Sequence, residues 1–168
     1  EAKKYGSPFA AGEEPVALTV EPTGHHAYVA NAGSNNISVY HLHRKTGVMS
    51  EIPGSPFKAG ERPVDLLVHP EGQWLYVANQ ASSSLSIHRI EARLGALSED
   101  VRTIALPIKP VRIWFDESDH SLLLLGKDKR RVLRYAVGKN TGEVRLLSDR
   151  RFSQPINDLV FMRSFPSH

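Results

Sequence analysis

The chain contains no cysteine, which rules out disulfides, thiolate metal sites and thiol catalysis together. It also has no run of 18 apolar residues. The densest cluster, Leu122 to Leu125, is far too short to span a bilayer as a helix. No basic, apolar and small-residue leader pattern follows Glu1. Cysteine scarcity suits a periplasmic protein and is equally compatible with cytoplasm, so the compartment stays open. Charge of one sign is lacking too. Twenty-one Lys and Arg against 18 Asp and Glu give a net charge of +3, with the signs interspersed. That balance is weak support for an anionic partner. Segments with helical period are also absent, while a hydrophobic share of 40% is that of a chain with a packed core.

What is present is a repeat. Gly6-Ser7-Pro8-Phe9 recurs as Gly54-Ser55-Pro56-Phe57, an offset of 48. The same offset carries Pro15-Val16 onto Pro63-Val64, Pro22 onto Pro70 and Gly24 onto Gly72. It also carries Tyr28-Val29-Ala30-Asn31 onto Tyr76-Val77-Ala78-Asn79 and Gly47 onto Gly95. A more worn third copy, offset by 47, brings Pro63-Val64 to Pro110-Val111, His88 to Tyr135 and Gly95 to Gly142. Within each unit apolar residues alternate with period 2, as in Val16, Leu18 and Val20, which marks half-buried strands. Gly- and Asn-rich turns separate them. One unit reads as strand A (Val16 to Val20), B (Ala27 to Asn31), C (Ile37 to Leu42) and D (near Val48 to Phe57). Four strands in about 45 to 50 residues predict a β-propeller blade. The expected fold is all-β: an arc of three four-stranded antiparallel blades, near residues 15–57, 63–106 and 110–152. One extra strand is expected at each end, at 6–9 and 156–161.

The string Pro-x-x-Leu-x-Val-x-Pro-x-Gly, then Tyr-Val-Ala-Asn, Ile-Ser-Val-Tyr and Gly-Ser-Pro-Phe, resembles the YVTN repeats of lactonase-type propellers. The likeness is strong over residues 6–98 and fainter after residue 110. It implies a ring of seven blades around a central channel. Seven blades at this spacing need roughly 330 residues, about twice the chain. The expectation is therefore a single partial propeller covering residues 1–168, with the stray end strands favouring a fragment of a longer array. Self-association, or flanking blades on a second chain, are the other ways to complete the ring.

In a propeller the starts of the A strands, with the D–A and B–C loops, surround the channel mouth, where ligands bind. Arg62, Asp65, Asn79, Arg112 and Lys127 are the candidate ligand-binding residues there. Asn31 and Asn79 also suit plain turn duty at the ends of their strands. The resemblance implies a sharper pattern: Gly-Pro-Arg-His entering strand A and Asn-Glu leaving strand B, with Arg binding an anionic substrate and His and Glu moving protons. At the Arg, His and Glu positions this chain has Val16, Ala17 and Ala32, then Val64, Asp65 and Gln80, then Val111, Arg112 and Lys127. No blade keeps the set, so no catalytic residue is assigned.

His41-x-His43 places two imidazoles on one face of strand C, but no third ligand is fixed and no metal or other cofactor is expected. The basic stretch Lys127-Asp128-Lys129-Arg130-Arg131 lacks interleaved aromatics, which argues against nucleic acid. The expected function is a scaffold binding a small molecule or protein at the channel mouth. The alternative is a lactone hydrolase, of the 6-phosphogluconolactonase or carboxymuconate-lactonising kind.

Overall fold

The computed structural model describes residues 10–118 and 120–156. Thirteen strands follow one another, and among the described residues no helix interrupts them. The first blade comprises β1 (Pro15–Val20), β2 (His26–Asn31), β3 (Asn36–His43), β4 (Val48–Glu51) and β5 (Phe57–Lys58). The second comprises β6 (Pro63–Val68), β7 (Trp74–Asn79), β8 (Ser84–Arg89) and β9 (Arg102–Ala105). The third comprises β10 (Pro110–Asp116), β11 (Ser121–Gly126), β12 (Arg131–Val137) and β13 (Val144–Arg151). Each sheet is antiparallel and ordered as the chain runs, and β1, β6 and β10 stand side by side as neighbouring inner strands. The partial propeller expected from the repeat is therefore present.

One strand differs from expectation. The fourth strand of the first blade is not continuous from Val48 to Phe57. It breaks at Pro53-Gly54, where Pro lacks a ladder donor and Gly54 adopts a left-handed φ of 88°. Its two pieces, β4 and β5, pair separately with β3. The expected terminal strand at 6–9 lies outside the described residues. Of the strand expected at 156–161 only Ile156 is described; it is in no strand, and its amide donates to the Lys129 carbonyl at 2.7 Å.

The A–B hairpins turn on left-handed Gly24 and Gly72, and on His120 in the third blade. The residue closing each A strand anchors that turn. The Glu21 carboxylate accepts the amides of Thr23, His25 and His26, while His69 Nδ1 and Asp116 each accept the amide two residues on.

The core lies between blades rather than within one sheet. Tyr28, Ala30, Ile37 and Val39 of the first blade pack on Leu66, Val68, Leu75 and Val77 of the second. Tyr76, Ala78, Leu85 and Ile87 of the second pack on Ile113, Leu122, Leu124 and Leu133 of the third. The same polar lock recurs at the rim of both interfaces. Tyr28 donates its hydroxyl to the Gly95 carbonyl at 3.0 Å, and Tyr76 donates to the Gly142 carbonyl at 3.3 Å. The ring two residues earlier, His26 or Trp74, lies against that same glycine. A Cβ at Gly95 or Gly142 would overlap the ring, and both glycines hold left-handed φ values of 70° and 64°. Glycine is needed there twice over, for conformation and for room.

One buried group sits uneasily in this core. His88 is fully buried where the flanking blades have Tyr40 and Tyr135, and among the described residues neither ring nitrogen has a hydrogen-bond partner. Burial depresses its pKa from 6.5 to about 4.

Two outcomes are expected. Gly142→Ala should destabilise the protein by about 1–3 kcal/mol in urea unfolding, because it combines overlap with strain; an unchanged midpoint would refute the lock. His88 binds its proton more readily in the unfolded chain, so its contribution is complete above about pH 6.5 and is lost as pH falls towards 4. His88→Phe should remove up to about 3 kcal/mol of acid sensitivity in that window. Parallel stability profiles for the two proteins between pH 7 and 4 would disprove this.

Candidate functional site

All three blades enter strand A through the same irregularity. The β1–β2, β6–β7 and β10–β11 registers each slip by one residue, between Pro15 and Ala17, Pro63 and Asp65, and Pro110 and Arg112. Val16, Val64 and Val111 are the inserted residues, so the position after each bulge is re-aimed by the local twist. The residue following strand B is fixed against the same corner. The amides of Ala32, Gln80 and Lys127 donate to the carbonyls of Glu14, Arg62 and Lys109 at 2.8, 2.9 and 2.8 Å. The three positions of the lactonase-type pattern are thus brought together in each blade by backbone geometry alone.

Asp65 does structural work there. One carboxylate oxygen accepts the Leu66 amide and the other accepts the Ile113 amide, both at 3.0 Å. The second bond crosses from the inner strand of one blade to that of the next. Burial pushes the Asp65 pKa up, while the two amides and the Arg112 guanidinium pull it back. Arg112 approaches the carboxylate only to 4.0 Å, with its side chain 65% exposed, so its donors remain open to a ligand.

The other candidates divide in the same way. Asn79 is fully buried and its side-chain amide is spent locally, donating to Ser84 and Ser86 at 3.2 and 2.8 Å and accepting the Gly60 amide at 3.1 Å. Asn31 donates in the equivalent turn to Asn36 and Ser38. Arg62 has a left-handed φ of 53°, and its guanidinium reaches Glu14, its counterpart one repeat earlier, at 3.1 Å. Lys127 is exposed at the B–C turn. Gln80, a position not among the expected ligand contacts, bridges blades by donating to the Pro110 carbonyl at 3.4 Å. The structure therefore gathers Arg62, Asp65, Arg112 and Lys127 at one end of the inner strands, but only the three cations carry exposed side chains.

The remaining polar clusters lie elsewhere. His25, His26, His41 and His43 cluster in the first blade, with contacting ring centroids 4.8 to 6.5 Å apart, His25 and His41 stacked and the other pairs edge to face. Among the described residues no three His, Cys, Asp or Glu groups are arranged to hold a metal ion. In the basic B–C turn, Arg131 forms a two-pronged pair with Asp149 at 2.8 and 2.6 Å, and Asp128 accepts the Arg130 amide at 3.0 Å. A cavity of about 940 Å³ opens between the second and third blades near Trp74, Ile90, Leu97 and Arg102. It sits at the opposite end of the sheets from the strand-A bulges. Its Arg102 is already taken up by the Trp74 ring at 5.8 Å, the Thr141 carbonyl at 3.1 Å and Glu143 at 3.5 Å.

Comparison with known proteins agrees with this architecture. The fold is shared with a protein of Bacteroides fragilis provisionally named a 6-phosphogluconolactonase, with a TM-score of 0.77 at 20% identity. That match covers 87% of this chain and 41% of the other. A similarly named protein of Bacteroides uniformis gives 0.75 at 20% identity, covering 85% and 42%. The periplasmic gluconolactonase of Pseudomonas aeruginosa gives 0.73 at 16% identity, covering 84% and 42%. The chain thus spans about two fifths of the length of these solved structures. No curated protein matches the sequence. The family described as lactonase, 7-bladed beta-propeller matches residues 2–115 and 52–158, and with nearly the whole chain inside those matches, this protein belongs to that family.

Proposed function

We propose that the protein acts in lactone hydrolysis, and that this arc contributes a cationic wall that holds an anionic lactone rather than the proton-transfer groups. The family match over residues 2–158 carries the reading, because it favours a lactone hydrolase over a general binding scaffold. Opening a lactone requires water to attack the ring carbonyl, a base to take its proton, and a proton for the departing ring oxygen. Asp65 is a poor base, since both of its oxygens already accept backbone amides. Gln80 cannot exchange a proton at neutral pH. The acid and base are accordingly assigned to blades outside residues 10–156. Arg112, Lys127 and Arg62 suit a carboxylate or phosphate on the substrate, Arg112 best because its fork remains exposed.

A second reading, a binding scaffold without turnover, draws on one observation: in the second blade Asp65, Asn79 and Gln80 are already engaged within the protein. Fold alone does not separate the two readings.

The test is hydrolysis of 6-phosphogluconolactone and unphosphorylated gluconolactone by the protein in its longest natural form, followed by proton release. Turnover is expected, and Arg112→Ala should raise KM for the phosphorylated substrate about tenfold to a hundredfold, the worth of one charge-assisted hydrogen bond. Binding without turnover by folded protein would establish the scaffold reading instead. Asp65→Ala should behave differently. It orphans the Leu66 and Ile113 amides and should cost about 1–3 kcal/mol of stability. Loss of turnover without loss of stability in that variant would make Asp65 a participant in the chemistry and overturn its structural assignment.

A further inference from the structure

The second blade departs from the repeat in one place. In the first and third blades the strand that follows the C–D glycine starts almost at once, at Val48 after Gly47 and at Val144 after Gly142. After Gly95 the chain is tied to the end of β8 through one isolated bridge, Ile90 to Leu97, and regular pairing resumes only with β9 at Arg102. The cavity of about 940 Å³ opens beside this irregular stretch, with a volume in the range of small-molecule sites. Trp74 and Arg89 stand directly opposite each other on β7 and β8, so their side chains share one face of the sheet, and both line the cavity. The equivalent pair in the first blade is His26 and His41, ring against ring at 5.4 Å.

Two donors at the cavity have no partner. Trp74 is only 8% exposed, and its buried indole N–H has no acceptor among the described residues, although buried donors are nearly always paired. Arg89 is exposed, and among the described residues its guanidinium enters no hydrogen bond or ion pair. The Glu91 charge is engaged, its carboxylate accepting the amides of Arg93 and Leu94 at 3.2 and 2.8 Å. The group over the indole is Arg102, and its ion pair with Glu143 is exposed on both sides, at 46 and 70%, so it contributes little. Arg102 can therefore turn from the ring towards an anion at small cost. We infer that this cavity binds an organic carboxylate with an apolar body. Both uncommitted groups are donors, and a carboxylate is a headgroup that only accepts. One of its oxygens pairs with Arg89 and the other takes the indole N–H, while the hydrocarbon lies against Ile90 and Leu97.

The probe is phenylbutyrate, with phenylbutyramide as its uncharged counterpart, titrated into the full chain carrying nitrogen-labelled tryptophan. The chain has two tryptophans, and Trp114, which packs in a different cluster, serves as the internal reference. The Trp74 indole N–H resonance should move and saturate with a Kd of about 1 mM or below, while Trp114 stays still. Arg89→Gln, at an exposed position, should weaken binding at least about tenfold, and the amide should bind at least about tenfold more weakly than the acid. A Trp74 resonance that does not move, or that drifts without saturating, overturns the inference. So does equal binding of acid and amide, or binding indifferent to Arg89→Gln.

Discussion

Everything in this arc depends on how one blade is held to the next. A four-stranded sheet of this size cannot bury both of its faces alone, so each blade's stability is largely an interface term shared with its neighbours. Two side chains of strand B define that interface at its rim. The ring at the first position closes over a glycine in the following blade's C–D turn, and the tyrosine at the third donates to the same glycine's carbonyl. Between rim and inner strands the space is filled by aliphatic residues, each contributing about 1.5–3 kcal/mol when fully buried. The lock adds little energy by comparison. Its effect is on register and angle, because a hydroxyl that must meet a carbonyl admits one relative placement of the sheets where aliphatic packing admits several.

The inner end of the arc obeys a related constraint. An inner strand has one edge without a sheet partner, and its amides need acceptors. Asp65 meets that need for Ile113, reaching across from the adjacent blade. Asn79 likewise accepts the Gly60 amide, while the side-chain amides of Asn31 and Asn79 donate within their own turns. The polar side chains that a ligand would find most attractive are thus the ones that the fold has already engaged. The exposed charges at this end are Arg62, Arg112 and Lys127, and of these Arg112 directly follows a strand-A bulge.

The sequence made the blades legible because period-2 alternation and a 48-residue recurrence are strong, local signals. Tyr28 and Tyr76, and Gly47, Gly95 and Gly142, were visible as repeating residues. That each tyrosine answers the glycine of the following unit was not, since the pairing spans 66 or 67 residues and has no local signature. The split of β4 from β5 was foreshadowed by Pro53-Gly54 but masked by apolar residues on either side. At the site, the candidate positions were found by alignment of the repeats, yet Asp65 looked like a ligand contact because a strand-A carboxylate near an arginine reads the same on paper whether its oxygens are free or filled. Only the neighbouring blade's backbone distinguishes the two. Gln80 was visible at the glutamate position of the pattern, but its bond to the Pro110 carbonyl of the next blade was not.

These constraints also account for an arc of this family without the histidine and glutamate that the lactonase-type pattern implies. Repetition makes the three equivalent positions structurally alike in every blade: a bulge, a residue aimed by it, and a residue pinned through its amide. The backbone performs the positioning, so the side chains there are free to differ. Valine at the bulge, aspartate or arginine after it, and glutamine or lysine beside it all fit the same corner. A ring needs one set of reacting groups facing its channel, not seven. The other positions are then free to hold neighbouring blades, as Asp65 does, or to carry exposed charge, as Arg112 does. The division between those two adjacent residues is set by burial: the one sunk between blades is consumed by structure, and the one lifted clear of the wall stays available for binding.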